Sequence, residues 1–358
     1  MPLFAEPKLL DVTVRDGSFQ IYHSMTAENT ARIAQGLAEA GVEYAEISHG
    51  CGIGAKLQGM PAKADDEEMM EAAKKVAPNL RLSAIVVPSD LSTALLPALV
   101  DYLDIGRVFG VVSQPELAEK TFQKLVKYEI KGFAQLVRTH RYTPEAVAES
   151  ASRFEAMGAE AVYIVDSFGS MFPEDVRSYV QAIQSRCKIE IGFHGHNHIG
   201  MAIPNTLEAW RAGATWLDAS LMGVGRDGGN TQLEALVDLL QIEGQAANLS
   251  LARLCKASQE AVLPVFEHAP STRYVDLLLS RHRLDYANKE YLILLANSIH
   301  VPLRDFFAVL EEKLGEGIQV TDETIKATVE SFGQDLEQLT ATFEKKPGDH
   351  EKKPDKAD

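Results

Sequence analysis

The sequence predicts an α/β fold, a (β/α)8 TIM barrel with a C-terminal helical extension. Three observations predict it: eight short β-rich apolar runs, amphipathic helical patterns between them, and an end to that alternation after Leu240. Eight strand–helix units in roughly 220 residues are what a closed parallel barrel needs, and such a barrel carries its chemistry at the C-terminal strand ends. A doubly wound open sheet is the alternative arrangement of the same units.

The runs occupy residues 9–14, 42–47, 80–87, 102–108, 132–137, 161–165, 189–193 and 216–219. Between them, residues 26–40 place Ile33, Leu37 and Ala40 on one helical face, and residues 143–157 do the same with Val147, Phe154 and Met157. Thr143 followed by Pro144 is a cap and first-turn pair. Residues 1–245 are therefore assigned to the barrel and 246–344 to a helical domain. In the latter, residues 251–332 show apolar spacing at Leu277, Leu278, Leu292, Leu295, Leu303, Phe307 and Leu310. The tail at 345–358 is Lys, Asp, Glu and Pro with little to bury, and is expected to be disordered.

Composition narrows the partners. The 358 residues are 46% hydrophobic with a formal charge of -16, which favours small molecules over nucleic acid or an anionic membrane surface. Three cysteines, Cys51, Cys187 and Cys255, form no CxxC pair and suggest a reducing compartment. With no leader-like segment and no apolar run near the ~20 residues of a membrane span, the expected location is cytoplasmic.

The chemistry-bearing residues fall at strand ends. Leu-Asp-Val-Thr-Val-Arg-Asp-Gly at 10–17 sets Arg15 and Asp16 after the first strand, and Phe-His-Gly-His-Asn-His at 193–198 ends the seventh. His194 and His196, two apart, share a side of the strand, and with one carboxylate they match a two-histidine, one-carboxylate metal site with open positions. His198 has the same parity but lies past the strand. Arg15 is suited to hold a developing oxyanion. Glu46, ending the second strand, either pairs with Arg15 or is a solvated rim carboxylate. Asn230 closes the glycine-rich loop Gly-Val-Gly-Arg-Asp-Gly-Gly-Asn at 223–230, where its amide oxygen offers a further ligand or an anchor for a bound water. That loop lacks the Lys-Ser/Thr of a phosphate-cradling P-loop.

Together with Glu-Ile-Ser-His-Gly-Cys-Gly at 46–52 and Tyr-Ile-Val-Asp-Ser-Phe-Gly at 163–169, these motifs resemble the 4-hydroxy-2-oxovalerate aldolases. That family shares a superfamily with 3-hydroxy-3-methylglutaryl-CoA lyase and 2-isopropylmalate synthase, and the resemblance spans about residues 8 to 340. It implies that Asp16, His194 and His196 hold a divalent ion, usually manganese, with magnesium, cobalt or zinc as substitutes. It further implies that Arg15 stabilises a pyruvate enolate, that Ser167 lies near the bound 2-oxo acid, and that a tyrosine from the extension, Tyr286 or Tyr291, reaches the pocket. Glu46 is grouped with the catalytic set and His49 with the substrate-binding set. The implied partners are a 2-oxo acid and an aldehyde, with an aldehyde dehydrogenase partner or a homodimer as compatible assemblies.

One departure stands out. Phe19 occupies the place of the family's base histidine, and a phenyl ring transfers no proton. Gln20, His49, His140 and His198 are the replacements the sequence offers. Arg138, His140 and Arg141 add positive charge after the fifth strand, suited to a substrate with a second anionic group or simply to solvent. The expected activity is a metal-dependent class II aldolase or lyase acting beside a pyruvate-type enolate. The alternatives are an enzyme condensing an acyl-CoA with a 2-oxo acid, and a non-catalytic regulatory homologue.

Overall fold

Eight parallel strands close on themselves in sequence order. They are β1 Lys8–Asp11, β2 Tyr44–Glu46, β3 Arg81–Val86, β4 Leu103–Val111, β5 Lys131–Val137, β6 Ala161–Asp166, β7 Glu190–Gly195 and β8 Trp216–Ala219. The barrel closes where Leu10 of β1 pairs with Tyr44 on one side and Asp218 on the other. This computed structural model describes residues 4–284, 289–315 and 320–343. Closure excludes the open doubly wound sheet.

Helices α1 Ala27–Ala40, α2 Asp66–Val76, α3 Asp90–Leu99, α4 Glu119–Lys127, α5 Pro144–Ala156, α6 Pro173–Arg186, α7 Ala202–Ala212 and α8 Leu233–Ile242 alternate with the strands. Thr26 caps α1 by accepting from Asn29 N, and Thr143 caps α5 by accepting from Ala146 N. Each such cap contributes about 1 kcal/mol. The first strand is shorter than its apolar run, because the Asp11 carboxylate accepts from the Thr13 amide at 3.0 Å and the Thr13 hydroxyl at 2.7 Å. That Asx-type turn ends pairing at Asp11 and starts the loop carrying Arg15 and Asp16.

The chain divides into two compact units, Met1–Ser280 and Arg281–Asp358. The first continues past the barrel helices through α9 Leu251–Ala257, α10 Leu263–Phe266 and most of α11 Tyr274–Arg281. Helix α9 lies against α1 so closely that a Cβ at Gly36 would fall 2.6 Å from that of Ala257. The second unit holds α12 Lys289–Ser298, α13 Leu303–Leu314, α14 Asp322–Ser331 and α15 Leu336–Phe343. Its interior is built from Leu292, Leu295, Phe306, Phe307, Leu310 and Val329, all buried. The 345–358 tail and Tyr286 lie outside the described residues. Among the described residues no single helix is long and apolar enough to cross a membrane.

Inside the barrel the chain switches from apolar to polar in one step. Tyr44, Ile105, Phe133 and Trp216 fill one layer, with ring centroids 4.9 Å apart for Phe133 and Trp216 and 4.7 Å for Tyr44 and Trp216. Two residues further along the same strands stand Glu46, Arg107, Gln135 and Asp218, and a period of two turns these inward as well. Gly192 on β7 makes room for the buried Tyr163 ring, to which a Cβ would approach within 2.5 Å. The apolar layer closes the barrel below, so the polar layer becomes the floor of a site open at the C-terminal strand ends.

Candidate active site

Asp16, His194 and His196 present one ligand atom each within 4.8 Å of one another, and all three are buried. His194 comes from the end of β7. His196 lies just beyond, where it bridges in antiparallel fashion to Asn230. The Nδ1 of His194 lies 2.8 Å from Asp218 Oδ2, and that of His196 lies 2.8 Å from the Asp166 carbonyl. Both Nδ1 atoms face acceptors and so carry the protons, which leaves both Nε2 lone pairs to a metal. Burial, followed by the charge of Arg226, pushes the His196 pKa down to about 4. The ring is then neutral at pH 7, as a ligand must be. Burial alone would raise the Asp16 carboxyl, but Arg15 and then His196 hold it well below the usual carboxylate range.

Asn230 supplies the test of fit. Its Nδ2 donates to Asp16 Oδ2 at 2.8 Å and to the Val224 carbonyl at 3.1 Å, which fixes the amide orientation. Its Oδ1 is buried with no hydrogen-bond partner among the described residues. Leaving such an oxygen unsatisfied costs about 1–3 kcal/mol. A carboxylate, two imidazole nitrogens with fixed tautomers and an unsatisfied amide oxygen form a donor set suited to a divalent ion.

Arg15 sits between two carboxylates. Its Nε donates to Glu46 Oε2 at 2.5 Å, and its Nη1 donates to Asp16 Oδ1. Among the described residues Nη2 has no hydrogen-bond partner, so donors remain for a ligand. Glu46 is fully buried and also lies 3.0 Å from Arg107 Nη1. It therefore fixes Arg15 through Oε2, while its Oε1 is buried with no hydrogen-bond partner among the described residues. Arg107 in turn donates to Asp218 Oδ2 at 2.5 Å and Gln135 Oε1 at 2.9 Å, with its guanidinium 4.5 Å from the Tyr163 ring centre. A continuous line of charge, Arg15 to Glu46 to Arg107 to Asp218 to His194, thus runs beneath the site.

Arg226, from the glycine-rich loop, adds a second cation. Its Nη2 donates to the Ser167 carbonyl at 2.6 Å and lies 3.4 Å from His196 Nε2, the nitrogen facing the metal position. Ser167 lies beside it, its Oγ accepting from the Arg138 amide at 2.8 Å. Arg138 itself has φ +57, a left-handed strain typical of functional loops.

A sequence profile of the HMGL-like family matches residues 6–261. The chain belongs to that family. This HMGL-like chain is 38% identical over 290 residues to the oxaloacetate decarboxylase of Mycobacterium tuberculosis, covering 80% of this chain and 85% of that one. It is 36% identical over 262 residues to the 4-hydroxy-2-oxovalerate aldolase of Geobacillus genomosp. 3, covering 73% and 78%. These relatives are lyase-type enzymes, and the expected enzyme class stands. The carboxyl transferase domain of Rhizobium etli pyruvate carboxylase, with pyruvate and biocytin, superposes with a TM-score of 0.74 at 19% identity. It covers 93% of this chain, which spans about 60% of that one; the likeness is one of fold.

Other expected residues fare differently. His49 accepts from the Cys51 amide at 3.0 Å on Nδ1, so its Nε2 donates to the Pro61 carbonyl at 2.9 Å, and neither ring nitrogen is left for a substrate. His140 is held by Ser170 Oγ at 2.7 Å and Asp175 at 3.6 Å. His198 donates Nδ1 to the Phe168 carbonyl, and Gln20 Nε2 to that of His268. Tyr291 lies on α12 in the second unit. Sequence reasoning missed Arg107, Asp218 and Arg226. The first two were legible as charges inside otherwise apolar strands of a parallel barrel, where both faces are buried.

Proposed function

We propose that this HMGL-like chain is a divalent-metal-dependent lyase that breaks the bond between carbons 3 and 4 of a 2-oxo acid, releasing a pyruvate-type enolate. The observation that carries this reading is Arg15 held by two carboxylates beside Asp16, His194 and His196. Those three residues, with Asn230, would hold the ion, manganese by preference, which when bound supplies Lewis-acid polarisation of the 2-oxo group. Arg15 faces the oxygen on which charge develops, and its rigid pairing with Glu46 means that no reorganisation is needed as that charge appears. The apolar layer beneath the polar floor closes the site to water from below.

Two features favour carbon dioxide over an aldehyde as the leaving group. Retro-aldol cleavage must remove a proton from the carbon-4 hydroxyl, and Phe19 offers no base at the motif position that the resemblance assigns to one. Loss of a carboxylate needs no such base. It needs a cation to orient the second carboxylate, and Arg226 stands next to the metal position. A 2-oxo dicarboxylate such as oxaloacetate fits both conditions, as the name of the M. tuberculosis relative suggests. A reaction without an aldehyde product requires no dehydrogenase partner.

The test is pyruvate release by the manganese-loaded full chain from oxaloacetate and, separately, from 4-hydroxy-2-oxovalerate. Asp16→Ala serves as the control for decarboxylation by free metal. We expect release from oxaloacetate to exceed that control by at least about 1000-fold. Faster release from the hydroxy acid would overturn the choice of leaving group. Release from neither would overturn the lyase reading.

A further inference from the structure

Whichever group leaves, the enolate must receive a proton at carbon 3. The loop after β1 contains an unexpected histidine. Tyr22 and His23 adopt φ +49 and +58, two successive left-handed residues that are not glycine. Such conformations cost about 1–3 kcal/mol each and persist only where the surroundings enforce them. Here they fold the chain back so that the His23 amide donates to the Ser18 carbonyl at 2.7 Å and the imidazole reaches the Ser18 hydroxyl.

The ring is fixed on several sides. It stacks on His49 with centroids 4.2 Å apart, meets the Phe19 ring edge-on at 4.7 Å, and lies against Gly50, where a Cβ would come within 2.7 Å of His23 Cε1. The Ser18 hydroxyl has one proton, which it donates to the Arg15 carbonyl at 2.7 Å. Its 2.9 Å contact with His23 Nδ1 is consequently donated by the ring. That tautomer leaves Nε2 a bare lone pair, with no hydrogen-bond partner among the described residues. Burial, then the neighbouring His49, push the ring down to about 4, while the Asp16 charge acts in the opposite sense. The ring is half-buried.

We propose that His23 is the proton-transfer residue of this site, exchanging a proton between Nε2 and carbon 3 of the 2-oxo acid. This rests on the enolate reading above. In the releasing direction Nε2 first takes a proton from solvent, and the carbon 2–carbon 3 π pair of the enolate forms a bond to that proton as the N–H bond breaks. The oxyanion then re-forms the carbonyl, and the ring returns to its neutral form with the proton on Nδ1. In reverse, Nε2 takes a proton from the pyruvate methyl group. The rings of Phe19 and His49 hold the imidazole plane, and Ser18 holds the tautomer.

Proton exchange isolates this step from the leaving group. The manganese-loaded full chain, incubated with pyruvate in heavy water, should place deuterium in the methyl group, read by mass spectrometry. His23→Gln should slow that exchange by about 100-fold or more while binding oxalate as the parent does. Undiminished exchange in His23→Gln would overturn the proposal alone, whereas no exchange by the parent chain would overturn the enolate reading with it. Should His23→Gln lose oxalate binding, His23→Ala decides: restoration of exchange by added imidazole supports the role, and its failure overturns it. Independently, nitrogen NMR of the metal-free chain should show His23 protonated at Nδ1, and an Nε2-protonated ring would overturn the assignment.

Discussion

Arg226 is set two opposing tasks by its position. A guanidinium 3.4 Å from His196 Nε2 repels any cation arriving there, and the same charge attracts an anionic substrate group. Replacing it with glutamine should therefore tighten manganese binding, by several-fold, and weaken use of the dicarboxylate. A charge-assisted hydrogen bond contributes roughly 1.5–3 kcal/mol, which corresponds to about 10- to 100-fold in kcat/KM. Manganese titration followed by steady-state kinetics on oxaloacetate reads both. If neither quantity moves, the guanidinium faces neither metal nor substrate. At this scale the sequence was legible where a motif concentrates chemistry: Asp16, His194 and His196 stand in two short runs and meet in one cluster, with Arg15 paired to Asp16. Arg226 and His23 were illegible for a physical reason, since loops obey no periodicity and His23 is aimed by two left-handed residues that no residue-type pattern announces.

Single elements carry a different consequence, seen best at the end of β1. Asp11 is buried, and although Thr13 donates to it twice, desolvation with help from Glu234 raises its pKa to about 7. The unfolded chain holds a carboxyl near 3.9, so between about pH 4 and 7 the folded state binds the extra proton. Stability from this group is complete below that window and is lost as pH rises through it. Asp11→Asn keeps the shape and removes the titration. The variant should gain on the parent chain as pH rises from 5 to 8, by roughly 3 kcal/mol, because about two of the three pH units between the unfolded and folded values lie above pH 5. Urea midpoints at both pH values check this, and a gap that stays constant would mean that Asp11 remains ionised in the fold. The same carboxylate explains why the apolar run at 9–14 overstated the strand: hydrophobic pattern sees Val12 and Val14, but the turn is made by a side chain accepting two hydrogen bonds. The other strand positions were legible because pairing follows apolar runs. Their polar members Arg107 and Asp218 were overlooked because strand assignment attends to the apolar majority.

For the barrel as a whole, the line from Arg15 through Glu46, Arg107 and Asp218 to His194 ties the first motif to the seventh strand across the interior. Buried ion pairs of this kind add little net stability, because desolvation offsets most of the attraction, yet deleting one partner leaves an uncompensated charge. Burial would lower the Arg107 pKa, but Asp218 and then Glu46 hold it above its ordinary value, while Arg107 is the largest influence keeping the buried Asp218 ionised. Arg107→Met should therefore cost about 3–5 kcal/mol in a urea melt. Combining it with Glu46→Gln and Asp218→Asn removes the stranded charges and should recover most of that loss. Manganese affinity should not recover, because Asp218→Asn no longer supplies the carboxylate that orients the His194 ring, and such outer partners contribute about 10- to 100-fold to metal binding. A triple variant that is stable and still binds manganese like the parent would show the network to be packing alone. A triple variant that is stable but metal-blind would show that the barrel retains these charges to aim its ligands.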